Sequence, residues 1–135
     1  MAIQLSVAVR NGRLDAIETV VGVSAVLKIF TGAQPANCAA ADSGTQLVNM
    51  ALQSDWAAAA ASGAKAKSGT WQDASADAAG TAAHFRLYAS DGTTCHLQGS
   101  VTATGGGGDL TLDNVVIAAA QQVTITGFTL TDGNA

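Results

Sequence analysis

The sequence predicts a mainly β fold: an antiparallel β-sandwich, jelly-roll-like, with one N-terminal helix. Three observations predict it. From Thr81 to Thr131, apolar and polar residues alternate in short runs, the pattern of strands with one face in a core. Turn formers separate those runs, notably Ser90-Asp91-Gly92 and Gly105–Gly108. Only residues 4–21 place their apolar side chains at a clear helical spacing. A chain of 135 residues has room for one core and not two. The expected organisation is therefore a helix or arm over 1–22 and a single sandwich domain over 23–135.

In the helix, Leu5, Val9, Ala16 and Val20 fall on one face, or alternatively Val7, Leu14, Ile17 and Val21. Arg10, Arg13, Asp15 and Glu18 take other positions. Gly12 in its middle costs about 1 kcal/mol relative to alanine, so the helix depends on packing. Gly22 is a suitable stop. Two readings follow: the helix plugs one end of its own sandwich, or it docks onto a neighbouring subunit.

Residues 25–31 and 46–52 have the composition of strands. Between them lies a long loop, Gly32 to Gly44, with the only proline, Pro35. Long ordered loops are often where contacts are made. Ser54-Asp55-Trp56 and five alanines predict a capped helical turn ended by Gly63. Residues 68–73 follow as an edge strand and 74–80 as a loose connection. Trp56 and Trp71 either close the ends of a core or line a sugar-binding face.

For the hairpin after Gly80, a three-residue Ser90-Asp91-Gly92 loop sets Leu87 opposite Cys95 and Phe85 opposite Leu97, with Cys95, Leu97 and Val101 on one face. Gly92 suits the left-handed position that ends such a loop. The four glycines then read as a flexible β connection, since no Gly-Lys-Ser/Thr follows to make a phosphate cradle. In the last run, Val123 and Ile125 have one parity, Phe128 and Leu130 the other. A bulge at Thr126-Gly127 reconciles them.

Composition narrows the chemistry. Net charge is −4 with six lysines and arginines, and the nearest approach to a basic patch is Lys65 with Lys67, so nucleic acid is not an expected partner. No apolar run approaches the ~20 residues that span a bilayer, so no membrane partner is expected. The start of the chain lacks the features of a signal peptide, which predicts synthesis in a cytoplasm. There free thiols at Cys38 and Cys95 are favoured over a disulfide.

Charged residues make up 12% of the chain, about half the usual share, which suits a surface buried in an assembly. His84 and His96 fall as diagonal neighbours on one face, but no third ligand has zinc spacing, so both are expected in solvent or an interface. No Gly-x-Ser-x-Gly motif is present and the carboxylates are scattered. Asp42, Asp91 and Asp132 each adjoin Ser or Gly and are explained by turns. No enzyme, cofactor or metal site is expected.

Three stretches have a family character: Leu5-Ser-x-Ala-Val-Arg-Asn-x-Arg-Leu-Asp-Ala-Ile-Glu-Thr19, Thr31-Gly-Ala-x-Pro-Ala-Asn-Cys-Ala-Ala-Ala-Asp-Ser-Gly-Thr45, and Val123-Thr-Ile-Thr-Gly-Phe-Thr-Leu-Thr-Asp-Gly-Asn134. Together they resemble small proteins encoded among the structural genes of tailed bacteriophages and prophages. The resemblance implies a virion component in many copies, such as a cement or decoration subunit on the capsid. Its implied partners are the major capsid protein and further copies of itself, as a dimer or trimer. A neck or tail subunit and a surface carbohydrate-binding module are the alternatives. The expected contact residues are Arg10, Arg13 and Glu18 on the helix, Pro35, Asn37 and Asp42 in the loop, and Asp132 and Asn134 in the tail.

Overall fold

The computed structural model describes residues 3–135. Among them the chain forms one helix, α1 (Val7–Val21), and ten strands: β1 (Val26–Phe30), β2 (Gln46–Ala51), β3 (Ala64–Ala66), β4 (Gln72–Asp73), β5 (Gly80–Thr81), β6 (His84–Tyr88), β7 (Cys95–Ala103), β8 (Leu110–Leu112), β9 (Val116–Ile117) and β10 (Val123–Thr131). The protein is mainly β, as the alternation predicts.

The helix starts at Val7 rather than at residue 4 because Ser6 caps it, its hydroxyl accepting from the Val9 amide at 3.3 Å. Leu5 is already extended and donates its N–H to the Asn134 carbonyl at 2.6 Å. Gly22 ends the helix at φ +89°, its N–H on the Glu18 carbonyl. Leu14 and Val21 are buried and Ile17 packs on the core, so α1 closes one end of its own domain. Val9 and Val20, on the alternative face, stay exposed, as does Val7 at the first turn of the buried face. Residues 1 and 2 of the expected arm lie outside the described residues.

The sheet runs in the order β2-β1-β6-β7-β8-β10-β3, with β4 also on β10, and a separate ladder joins β5 to β9. It rolls until its ends approach. On the outer edge of β2, the Leu47 carbonyl accepts from the Asp77 amide at 2.8 Å and the Asn49 amide donates to Asp73 at 3.2 Å, beside the β4–β10 ladder. Leu27, Ile29, Phe85, Leu87, Leu110, Leu112, Val123 and Ile125 line the inside. The sandwich is there, but its main ladders run as one path rather than as two four-stranded sheets. Jelly-roll connectivity is therefore no part of the result.

All pairs are antiparallel except β7–β8, which is parallel, where a uniformly antiparallel half was expected. Parallel neighbours ordinarily need a crossover of a dozen or more residues. Here residues 104–109 suffice, because Gly105 and Gly107 adopt φ +86° and +81°, which few residues with a Cβ tolerate. The Gly108 amide then bonds the Thr102 hydroxyl at 3.0 Å, folding the chain back beside its own strand.

The β6–β7 register also differs from expectation. Leu87 faces Leu97, Tyr88 faces Cys95, Phe85 faces Gly99, Arg86 faces Gln98 and His84 faces Ser100. The turn is longer than three residues: Ala89 N–H bonds the Thr94 carbonyl at 2.9 Å, and the Asp91 carboxylate gathers the amides of Thr93 and Thr94 at 2.8 and 2.9 Å. Gly92 is left-handed at φ +69°, as expected. A bulge at His96 then turns Cys95 away from Leu97 to the outer face of the sheet. The bulge expected in β10 is present: Ile125 faces Leu112, Gly127 faces Thr111, and Val123, Ile125 and Phe128 are all buried.

The alanine run after Trp56 is not helical. Alanine favours a helix by fractions of a kcal/mol per residue, and tertiary partners override that here. Ala58 N–H bonds the Ala66 carbonyl at 2.9 Å and Ser68 N–H bonds the Trp56 carbonyl at 2.9 Å, so the run lies extended beside 64–68. Ser62 and Gly63, at φ +51° and +75°, make the two-residue turn between them. Of the expected edge strand 68–73, only β4 forms a ladder, and Trp71 beside it is buried.

Candidate interaction surface

All five residues of β6 are buried, although only Phe85 and Leu87 face the core. His84, Arg86 and Tyr88 point the other way, and the 32–44 loop covers them. Arg86, with 1% of its side chain exposed, is the pin. Its Nη1 donates to Asp42, and its Nη2 donates to the carbonyls of Cys38 at 2.9 Å and Ala40 at 3.0 Å. Tyr88 donates its hydroxyl to the same Asp42. Gln98 donates to the Pro35 carbonyl at 2.7 Å, and His84 Nδ1 lies 2.9 Å from the Gly32 carbonyl while its ring stacks on Phe30. Within the loop, Asn37 accepts from the amides of Ala39 and Ala40, both at 3.0 Å, which closes a local turn. A planar, permanently charged guanidinium suits this task because its fork satisfies several carbonyls at once.

A second polar cluster holds α1. Lys65, also 1% exposed, places its ammonium 2.8 Å from Asp15, 2.7 Å from Glu18 and 2.9 Å from the Ala58 carbonyl, so three acceptors meet its three donors. The ammonium pKa is raised even though burial, the largest influence, would lower it; the bonds to Asp15 and Glu18 outweigh burial. Asp15 also accepts from the Ala60 amide, and Asn11 accepts from Gly63, both at 2.9 Å. Near the start of the helix, Arg10 donates to the Asp132 carbonyl at 3.3 Å and Arg13 pairs with its carboxylate at 3.2 Å.

The eight residues expected from sequence thus fall into three groups. Arg10, Arg13, Asp132 and Asn134 come together where the helix meets the tail. Pro35, Asn37 and Asp42 belong to the pinned loop. Glu18 is apart from both, paired to Lys65. His84, expected in solvent or an interface, is buried under the loop, and Lys65, which with Lys67 was too little for a basic patch, is buried as well. The histidines do not share a face, since His96 lines an apolar groove of about 280 Å³ with Ile17, Val20 and Leu97. Trp56 and Trp71 are 0% and 1% exposed and offer no face to a glycan.

Among the described residues no cluster of three His, Cys, Asp or Glu is placed to hold a metal, and no helix is long and apolar enough to cross a membrane. The residues missed by sequence reasoning are Arg86 and Tyr88, whose alternate spacing on β6 resembles an ordinary solvent face.

The Cys95 thiol is pushed up to about 11, first by burial and then by its hydrogen bond with Cys38, against the pull of Arg86. A folded-state pKa above the ordinary value of 9.0 means the native protein holds this proton more tightly than the unfolded chain does. Its contribution is full below pH 9 and lost as pH rises towards about 11; the raised Lys65 and Tyr88 act in the same direction. Denaturant midpoints are expected to stay level through neutral pH and fall above pH 9. A midpoint that rises across that range would contradict the assignment.

Compared with known proteins, the chain matches no protein-family model, no curated protein and no solved structure.

Proposed function

We propose that the chain is a structural subunit of a tailed-bacteriophage virion, a cement or decoration protein that bridges capsomers of the major capsid protein as a dimer or trimer. The observation that carries this reading is the pinned loop. A buried arginine, an aspartate and a tyrosine are committed to holding one stretch of surface in a fixed shape, and preorganised loops bind with less ordering cost. The phage assignment comes from the resemblance in the helix, the loop and the last strand. The exposed valines of α1 and the low charge of the surface suit a subunit covered by neighbours. Contacts of ~800 Å² per partner, repeated around a shell, give strong retention from modest single sites.

Ala36 and Ala41 are exposed in the loop and make no side-chain bond. Replacing both with lysine, Ala36→Lys and Ala41→Lys, is expected to abolish binding of the full chain to particles assembled without it, at unchanged melting temperature. Undiminished binding by the double variant would remove the loop as the contact element.

A further inference from the structure

The bulge at His96 turns Cys95 to the face that the 32–44 loop covers, and this brings the chain's two cysteines together. Cys38 lies in that loop with its carbonyl 2.9 Å from Arg86 Nη2, and Cys95 sits across the ladder from Tyr88, the neighbour of Arg86. Both thiols are free and half-buried; the Cys95 thiol donates to the Leu97 carbonyl at 3.3 Å, and the Cys38 thiol is near enough to help raise its pKa. No third cysteine competes. Burial and the Cys38 thiol outweigh the pull of the neighbouring Arg86 guanidinium and keep Cys95 protonated at neutral pH, so exchange through its thiolate needs an alkaline medium.

We propose that Cys38 and Cys95 form an intramolecular disulfide that latches the 32–44 loop to the sheet once the chain meets an oxidising medium. The oxidant is a small-molecule disulfide such as glutathione disulfide. One cysteine thiolate attacks a glutathione sulfur, breaking that disulfide, releasing one glutathione thiolate and leaving a mixed disulfide on the protein. The second cysteine, deprotonated, attacks the protein sulfur of the mixed disulfide and expels the other glutathione thiolate. Two protein thiols are oxidised and one glutathione disulfide is reduced to two glutathiones, which take up the two protons.

Half-burial under the loop admits a small reagent but keeps a second protein chain away, which favours the internal bond over dimers. The latch joins residues far apart in sequence, the case in which a cross-link most restricts the unfolded chain. Its consequence is a loop that is pinned by Arg86 in a reducing cytoplasm and covalently fixed outside it. The inference does not depend on the virion reading, because it needs only the loop and the sheet.

The test treats the full chain with glutathione disulfide at mildly alkaline pH. The expected product is a monomer lighter by two hydrogens, with a proteolytic peptide joining Cys38 to Cys95. Its melting temperature should be higher by roughly 10 °C. Dithiothreitol should reverse the shift, and Cys38→Ser or Cys95→Ser should show none. Stable glutathione adducts on the separate thiols, chain-to-chain disulfides, or a cross-linked monomer that melts no higher would each overturn the proposal.

Discussion

Asp42→Ala is expected to destabilise the protein by about 3 kcal/mol, the low end for removing one partner of a buried ion pair because Asp42 itself is part-exposed. The cost comes from what remains: a guanidinium under the loop with carbonyls but no counter-charge, and a Tyr88 hydroxyl without its acceptor. Arg86→Met should cost less, since it removes the buried charge and leaves a half-exposed carboxylate that water can reach. Denaturant unfolding of the two variants measures the order directly. If Arg86→Met proved the more damaging, the network would be acting through the loop carbonyls rather than through the ion pair. In both variants the 32–44 amides should exchange with solvent faster than those of β6.

Trp71→Ala is expected to cost about 3–5 kcal/mol, the range for truncating a buried tryptophan. Trp71 is 1% exposed, packs 5.2 Å from Phe128 and 6.2 Å from Trp56 between ring centroids, and donates Nε1–H to the Ser68 carbonyl at 3.1 Å. Its removal opens a cavity next to the β4–β10 ladder that closes the roll. A loss under about 1 kcal/mol would mean that the aromatic cluster repacks, which is the expectation for a surface position and not for a core one.

Period-two alternation was sufficient to read the class of fold, and the opposed parities of Ile125 and Phe128 located the β10 bulge. Gly22 marked the helix end correctly. The departures have two causes: local turn, hairpin and bulge geometry that alternation does not encode, and partners distant in sequence. The alanine run gave up helix for pairing with 64–68. The β6–β7 register was set by Asp91 gathering two amides and by the bulge at His96, neither of which alternation encodes. On β6, His84, Arg86 and Tyr88 occupy the polar parity and resemble a solvent face; only the loop, more than forty residues earlier, makes them buried. The burial of Lys65 is hidden in the sequence for a similar reason, since its counter-charges Asp15 and Glu18 lie far away on α1.

The loop is marked in the sequence by its length, but the pairing of Arg10 and Arg13 with Asp132 inside the chain is not legible there. Nor is it legible that the loop is fixed from beneath. That support is the feature on which the interaction reading rests, because a mobile loop of the same composition would lose ordering entropy at every contact.

The measurement to make first is the abundance and position of this chain in purified virions, by quantitative gel densitometry and particle imaging. A cement subunit predicts copies in fixed ratio to the major capsid protein, seated where capsomers meet. A few copies confined to one vertex, or absence from the particle, would contradict it.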